Sequence, residues 1–455
     1  MLNLTRDLCA IIDKTNSASL SSECIERVKQ AIADGVAVAL AGCREAPVAI
    51  GAAHARSLGG AQQASVWGWD FKASVVQAAC VNAMAMHVLD FEPMWSPPTH
   101  AVSPAVPVAL ALAELYGATG EQIVTAVAKG LEIQCRLQFA GDQYVPEKLR
   151  FHPPGVAGVF GSAVVASSLL RLDASQLQHA LGIAASRAGT LLANVGSMTK
   201  CLHCGNAAAS GLDSALLAQR GFTSNQDVLE APKGVIATYY PDGFHPERLL
   251  AYSKPFRVVD PGFAVKMFPS QYGTHYVITA ALEVHGKIAD PSRIAAVRIV
   301  SPVMKYVNRP RPATGLDGKF SLQYLAAAAL LDGKVKIDTF TDERRFRSDM
   351  EALLGKITLV QDESIPGDFH HMHVDVDVEL DDGARAKAVC RAPRGSWGAP
   401  LAPGEHRGKL EDCLSRALPS AQLGSLIDGL DRMETLDAKS VAALVALMAR
   451  AGPTR

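Results

Sequence analysis

The sequence predicts a mainly α protein: a large all-helical domain built from both ends of the chain, with a smaller α+β domain inserted between them. Three observations carry that expectation. Apolar residues recur at helical spacing from the N-terminus to about residue 250. After Pro261 several short runs alternate between apolar and polar residues. Helical periodicity then returns from about Lys409 to the end. The expected boundaries are residues 1–260 and 400–455 for the helical domain and 261–399 for the insertion.

In the first part, Ile25, Val28, Ile32 and Val36 fall at intervals of three and four and so share one helical face. Thr119 and Gln122 form a capping-box pattern, in which each side chain satisfies an unpaired amide of the first turn; Ile123, Val127 and Leu131 continue that helix. Asp173 and Gln176 repeat the signal ahead of Leu177 and Leu181. The most apolar stretch, Val156 to Leu170, is shorter than the ~20 residues a membrane span needs and reads as a buried core helix. In the insertion, Val297-Arg298-Ile299 alternates, and so does Met372 to Leu380. Asp381-Asp382-Gly383 then supplies a turn, and Arg385 and Lys387 alternate with Ala and Val to Cys390, which makes a hairpin. The Gly/Pro-rich run from Arg394 to Gly404 is a linker.

With 44 Lys and Arg against 45 Asp and Glu, the formal charge of −1 gives no electrostatic handle for nucleic acid or an anionic membrane, and neither is expected as a partner. Hydrophobic residues at 49% suffice for a large buried core, and 455 residues suggest two or three domains. Nine cysteines, an odd number scattered through helix-like segments, point to reduced thiols in a cytoplasmic protein rather than a disulfide framework. The first residues include Asp7 and no long apolar run, so no signal peptide is expected.

Four segments concentrate ionisable and turn residues in apolar surroundings. His87, Asp90, Glu92 and His100 lie on a Pro-rich stretch that reads as a loop, either a functional one or a capped helix end with solvated charges. Phe151-His152-Pro153-Pro154-Gly155 opens the apolar helix, where free amides would suit a carboxylate; a structural role for His152 fits as well. Lys200 and His203 share a helical face, with Lys200 either a carboxylate clamp or base, or a chain reaching to solvent. Lys266, Gln271, Tyr272 and His275 stand at the entry to the insertion, and a cleft between domains is a usual place for a small-molecule site. Lysines and histidines converging there suggest an anionic substrate and proton transfer. Neither metal nor cofactor is expected. His371, His373, Asp375 and Asp377 alternate onto the solvated face of a strand, and Cys201-x-x-Cys204 lacks the further thiolates of a zinc or iron–sulfur site. Nucleotide-binding glycine loops and the serine-hydrolase elbow are absent too.

Six motifs then run in order through most of the chain: LDFEP from Leu89, HAVSPAVPVALALAE from His100, FHPPGVAGVFGSA from Phe151, GSMTKCLHCGNAAASG from Gly196, KMFPSQYGTH from Lys266 and FSLQYLAAAALLDG from Phe320. Together they resemble the MmgE/PrpD family, which includes 2-methylcitrate dehydratase, cis-aconitate decarboxylase and iminodisuccinate epimerase. The resemblance implies that the α+β domain is a lid, that the protein is usually a homodimer, and that cofactor-free catalysis takes place in the cleft between the domains. It implies a site of Asp90, His100, His152, Lys200, Lys266, His275 and Tyr324, of which Tyr324 rests on the resemblance alone; with the segments above, the expected catalytic set is Asp90, His100, His152, Lys200 and His275, and Lys266, Tyr324, His203 and Gln271 are expected to hold substrate. Lys200 and Lys266, with amides near His152, would stabilise charge on substrate carboxylates, and His100 or His275 would move the proton.

Two departures stand out. Where the family reads Asp-Phe-Asp-Asp-Thr, this chain has Asp90-Phe91-Glu92-Pro93-Met94, and Met94 cannot hydrogen-bond a carboxylate. Cys201 stands where the family often has an Arg, with Arg187 as a candidate substitute. The expected activity is a lyase that removes water or carbon dioxide from a small di- or tricarboxylate. The alternatives are an epimerase of a small dicarboxylate, with two bases on opposite faces of one carbon, and a catalytically silent carboxylate binder.

Overall fold

The computed structural model describes residues 3–397, 399–402 and 404–452; the chain ends and two positions of the Arg394–Gly404 linker lie outside them. Helices hold 56% of the residues and strands 9%, so the protein is mainly α.

Helix α1 (Ser22–Gly42) starts where the Ser21 side chain accepts from the Cys24 amide, and it buries Val28, Ile32 and Val36. Helices α2 (Val75–Val88), α3 (Val102–Tyr116), α4 (Gly120–Ala140), α5 (Pro153–Leu169) and α6 (Thr199–Gln219) follow. Both capping boxes form, at Thr119–Gln122 on α4 and at Asp173–Gln176 on a helix after α5. The apolar α5 is buried from Pro153 to Ser167, so its hydrophobicity serves the core. Among the described residues no single helix is long and apolar enough to cross a membrane. All nine cysteines are free, and all but Cys80 are buried.

Residues from Ala264 to Cys390 supply nearly all of a second apolar core. Helices α7 (His275–His285) and α8 (Leu322–Asp332) pack on a four-stranded sheet of β1 (Ile294–Ser301), β2 (Ile357–Gln361), β3 (Val374–Leu380) and β4 (Arg385–Cys390). The strand order is β2-β1-β3-β4, with β1 parallel to β2 and antiparallel to β3. The β3–β4 hairpin turns at Gly383, whose φ of +83° suits glycine. It buries Val374, Val376 and Val378, and on its other face Asp375 pairs with Lys387 at 2.9 Å. A short ladder, Met94–Trp95 against Phe263–Ala264, ties the loop after α2 to the start of this core.

The chain then returns to the helical part. Helices α9 (Glu405–Leu414), α10 (Ser420–Asp431) and α11 (Ala438–Ala449) pack on α1 and α3, and Leu410, Leu426, Val441 and Met448 join the core of α1–α4. Helices α5 and α6 approach closely: a Cβ on Gly211 would lie 2.4 Å from the Val159 carbonyl oxygen. A methyl group there must push backbone apart, so Gly211→Ala is expected to cost about 1–3 kcal/mol of overpacking, read as a lower urea midpoint.

Candidate active site

The site is organised by the turn that ends α2. Asp90 has φ +53°, a left-handed conformation that costs a non-glycine residue about 1–2 kcal/mol. That turn swings its carboxylate between two ammonium groups. Lys200 on α6 donates to Asp90 Oδ2 at 2.8 Å, and Lys266 donates to Asp90 Oδ1 and, at 2.6 Å, to its backbone oxygen. Lys200 also donates to His87 Nε2 at 2.9 Å, so His87 carries its proton on Nδ1, which donates to Glu92 Oε1. The same Glu92 oxygen accepts from Ser103 Oγ at 2.9 Å and lies 3.1 Å from His100 Nδ1. His100 Nε2 is 3.6 Å from Asp90 Oδ1. On the other side, His152 and His203 face each other with their Nδ1 atoms 3.2 Å apart.

Burial and these neighbours sort the charges. Burial opposes ionisation of Asp90, yet Lys200 and Lys266 hold its carboxyl well below the usual range. Burial likewise opposes ionisation of Glu92, and the neighbouring His87 and His100 hold it well below its ordinary value. Burial and then Lys200 push His87 down from 6.5 to about 4, against the pull of Glu92, and push His203 to about 4. The same two causes hold His152 well below its ordinary value. Burial also brings Lys319 down to about 8.

Beside this cluster lies a cleft of about 210 Å³, lined from the helical part and from the second core. Asp90, His100, His152, Lys200 and Gln271 line it, and Met94 supplies apolar wall. The other expected residues stand back from it. Lys266 is fully buried and spent on Asp90. His203 backs His152. His275, also fully buried, packs its ring 5.2 Å from those of Phe268 and Tyr272, behind the cleft wall. Tyr324 gives its hydroxyl to the Thr339 carbonyl inside the second core, so it offers no hydrogen bond to a ligand in the cleft. The anion-binding amides expected near His152 are missing as well: Pro153 and Pro154 have no N–H, and the Gly155 amide donates to the His152 carbonyl at 3.0 Å. Arg187 pairs with Asp213 at 2.5 Å and does not reach the cleft, and Cys201 Sγ turns to the Met198 carbonyl at 3.2 Å. The guanidinium at the cleft is Arg309, with Tyr306 beside it; neither lies in the four segments whose composition points to a site. Arg309 is aimed by Asp317 and stacks 5.2 Å from the Phe320 ring. Glu92 and His87 stood in the first segment, but nothing in their spacing marked them as the support for His100.

His87, Glu92 and His100 present possible metal-ligand atoms within 4.8 Å of one another. Those atoms face each other in a hydrogen-bonded network, and the Lys200 ammonium occupies the remaining nitrogen of His87, a donor arrangement poorly suited to a cation.

Residues 6–247 match the MmgE/PrpD N-terminal domain and residues 268–429 the MmgE/PrpD C-terminal domain. The chain belongs to the MmgE/PrpD family. It is 31% identical to cis-aconitate decarboxylase of Homo sapiens over 96% of its own length and 93% of that protein. It is 30% identical to the Mus musculus cis-aconitate decarboxylase over 96% and 92%. A 2-methylcitrate dehydratase of Cupriavidus necator is 24% identical over 46% of this chain and 45% of its own.

The depressed histidines link stability to pH. From their ordinary 6.5 down to about 4, His87 and His203 remain neutral when folded, while the unfolded chain takes up protons there. The unfolded state then binds more protons, so stability falls as the pH drops through that window. His203→Gln is expected to flatten the fall, read from urea unfolding at about pH 7 and about pH 4.5.

Proposed function

We propose that this protein is a cofactor-free lyase that decarboxylates a small unsaturated tricarboxylate, cis-aconitate or a close analogue, in the cleft between the helical part and the α+β unit. The observation that carries this reading is the convergence of Lys200, Arg309, His100 and His152 on one small cleft. The likeness to two decarboxylases over nearly the whole chain favours carbon dioxide over water as the leaving group.

Loss of carbon dioxide leaves the bonding pair on carbon, where a conjugated double bond can spread it toward a remaining carboxylate. Cations fixed at that carboxylate lower the energy of the charge as it develops, and they do so without reorganising. Lys200 and Arg309 fill that role. The proton that completes the product comes from His100, which faces the cleft and has Glu92 behind it to hold the ring. His152 guards the opposite side and positions substrate. The reading includes a homodimer: exposed Ile50, Leu58 and Met198 rim one apolar groove of about 520 Å³, a face that suits a second copy.

Proton NMR of cis-aconitate, 2-methylcitrate, citrate and iminodisuccinate with enzyme in D2O tests the reaction. Carbon dioxide release with a new vinyl signal from cis-aconitate is the expected result. Dehydration of a hydroxy acid, or solvent exchange with no new skeleton, points to the dehydratase or the epimerase instead. His100→Gln should lower kcat by about 10²–10⁴-fold, the usual worth of a positioned acid, and near-normal turnover removes His100 from the mechanism. Arg309→Met should lower kcat/KM about 10- to 100-fold, with kcat itself reduced, for the loss of a charge-assisted hydrogen bond worth ~1.5–3 kcal/mol that strengthens as charge develops.

A further inference from the structure

Three consecutive carbonyl oxygens in the turn after α2 each accept a hydrogen bond from a different lysine. Leu89 accepts from Lys319 at 2.8 Å, Asp90 from Lys266 at 2.6 Å and Phe91 from Lys409 at 2.8 Å. All three side chains are buried, at 4%, 0% and 6% exposure. They come from separate places: Lys266 follows the Phe263–Ala264 strand, Lys319 lies in the short turn before α8, and Lys409 is on α9.

Burying an ammonium is costly unless a carboxylate answers it. Lys409 is answered by Asp34 on α1, 2.9 Å from both oxygens, and Lys266 by the Asp90 carboxylate. Lys319 has no carboxylate at ion-pair distance among the described residues; its ammonium donates to the Leu89 oxygen and lies 5.0 Å from the Phe340 ring, with Asp90 and Glu45 acting from farther off. Such an ammonium adds little to folding, and a carbonyl beside a left-handed aspartate is an odd place to spend it. The turn it holds is the one that aims Asp90 at Lys200.

We propose that Lys319 and Lys409 are positioning residues: with Lys266 they pin the three carbonyls around Asp90, so that its carboxylate is set only when the α+β unit and the C-terminal helices are both docked on the turn. The inference rests on the decarboxylase reading for its kinetic test but not for its structural one.

Full-length Lys319→Met and Lys409→Met are compared with wild type and with Lys334→Met, an exposed lysine just past α8. Two quantities are measured: kcat and KM on cis-aconitate, and amide hydrogen exchange of residues 89–92 against α5. The expected result is a kcat lowered by about 10²-fold with KM little changed, as for a reacting group displaced by a fraction of an ångström. Faster exchange confined to the turn should accompany it, and Lys409→Arg, which keeps a donor, should recover part of the loss. Wild-type kcat with unchanged exchange overturns the proposal. Faster exchange throughout the protein, with normal kcat per folded molecule, overturns it too, because the lysines would then be structural only. If wild type turns over no substrate in the panel, the decarboxylase reading fails, and exchange in the turn alone decides the positioning role.

Discussion

A buried carboxylate between two buried ammonium groups is the constraint on which this site depends. Remove the charge on Asp90 and both Lys200 and Lys266 are left uncompensated in a low-dielectric interior, a loss of the kind that costs several kcal/mol. The backbone gives way to that demand by taking a left-handed turn, and the turn in turn fixes where Phe91, Glu92 and the following loop run. Lys200 comes from α6 and Lys266 from the segment that enters the α+β unit, so the two main bodies of the chain meet through one aspartate. The short ladder of Met94–Trp95 with Phe263–Ala264 reinforces the same junction through backbone hydrogen bonds.

What the sequence disclosed follows from the range of the forces involved. The capping boxes at Thr119 and Asp173 and the β3–β4 hairpin are local, so spacing alone revealed them. Strand β2 was invisible because its parallel partner, β1, lies about sixty residues earlier and no turn links the two. The same division holds for the candidate site. Asp90, His100, His152 and Lys200 stood in segments where turn residues interrupt apolar helices, and the structure brings these four to one cleft. Tyr324 and His275 begin or nearly begin helices whose inner faces belong to the second core, so their rings pack there rather than at the cleft. Arg309 carried no local signal; it reaches the cleft through the tertiary path of Lys305 to Arg311. The missing amides at Pro153 and Pro154 were legible all along, since proline has no N–H to give.

Charge bookkeeping inside the cluster bears on how an anion is received. Asp90 and Glu92 cancel Lys200 and Lys266, and Asp317 cancels Arg309, which leaves the ammonium of Lys319 as the uncancelled positive charge beside the turn. Attraction for a substrate carboxylate comes from that charge and from donors already aimed: Lys200, held by Asp90, lines the cleft, and Arg309 has hydrogens not used by Asp317. Each negative charge that enters favours a proton on a nearby imidazole, since the ammonium groups that hold the histidines neutral are then shared with the ligand. His100 lies between Asp90 and Glu92 and opens to the cleft. Donors aimed in advance at a small cleft select for charge on the ligand by geometry, and the carboxylates beside Lys200 and Lys266 spare the interior two bare ammonium groups while the cleft is empty.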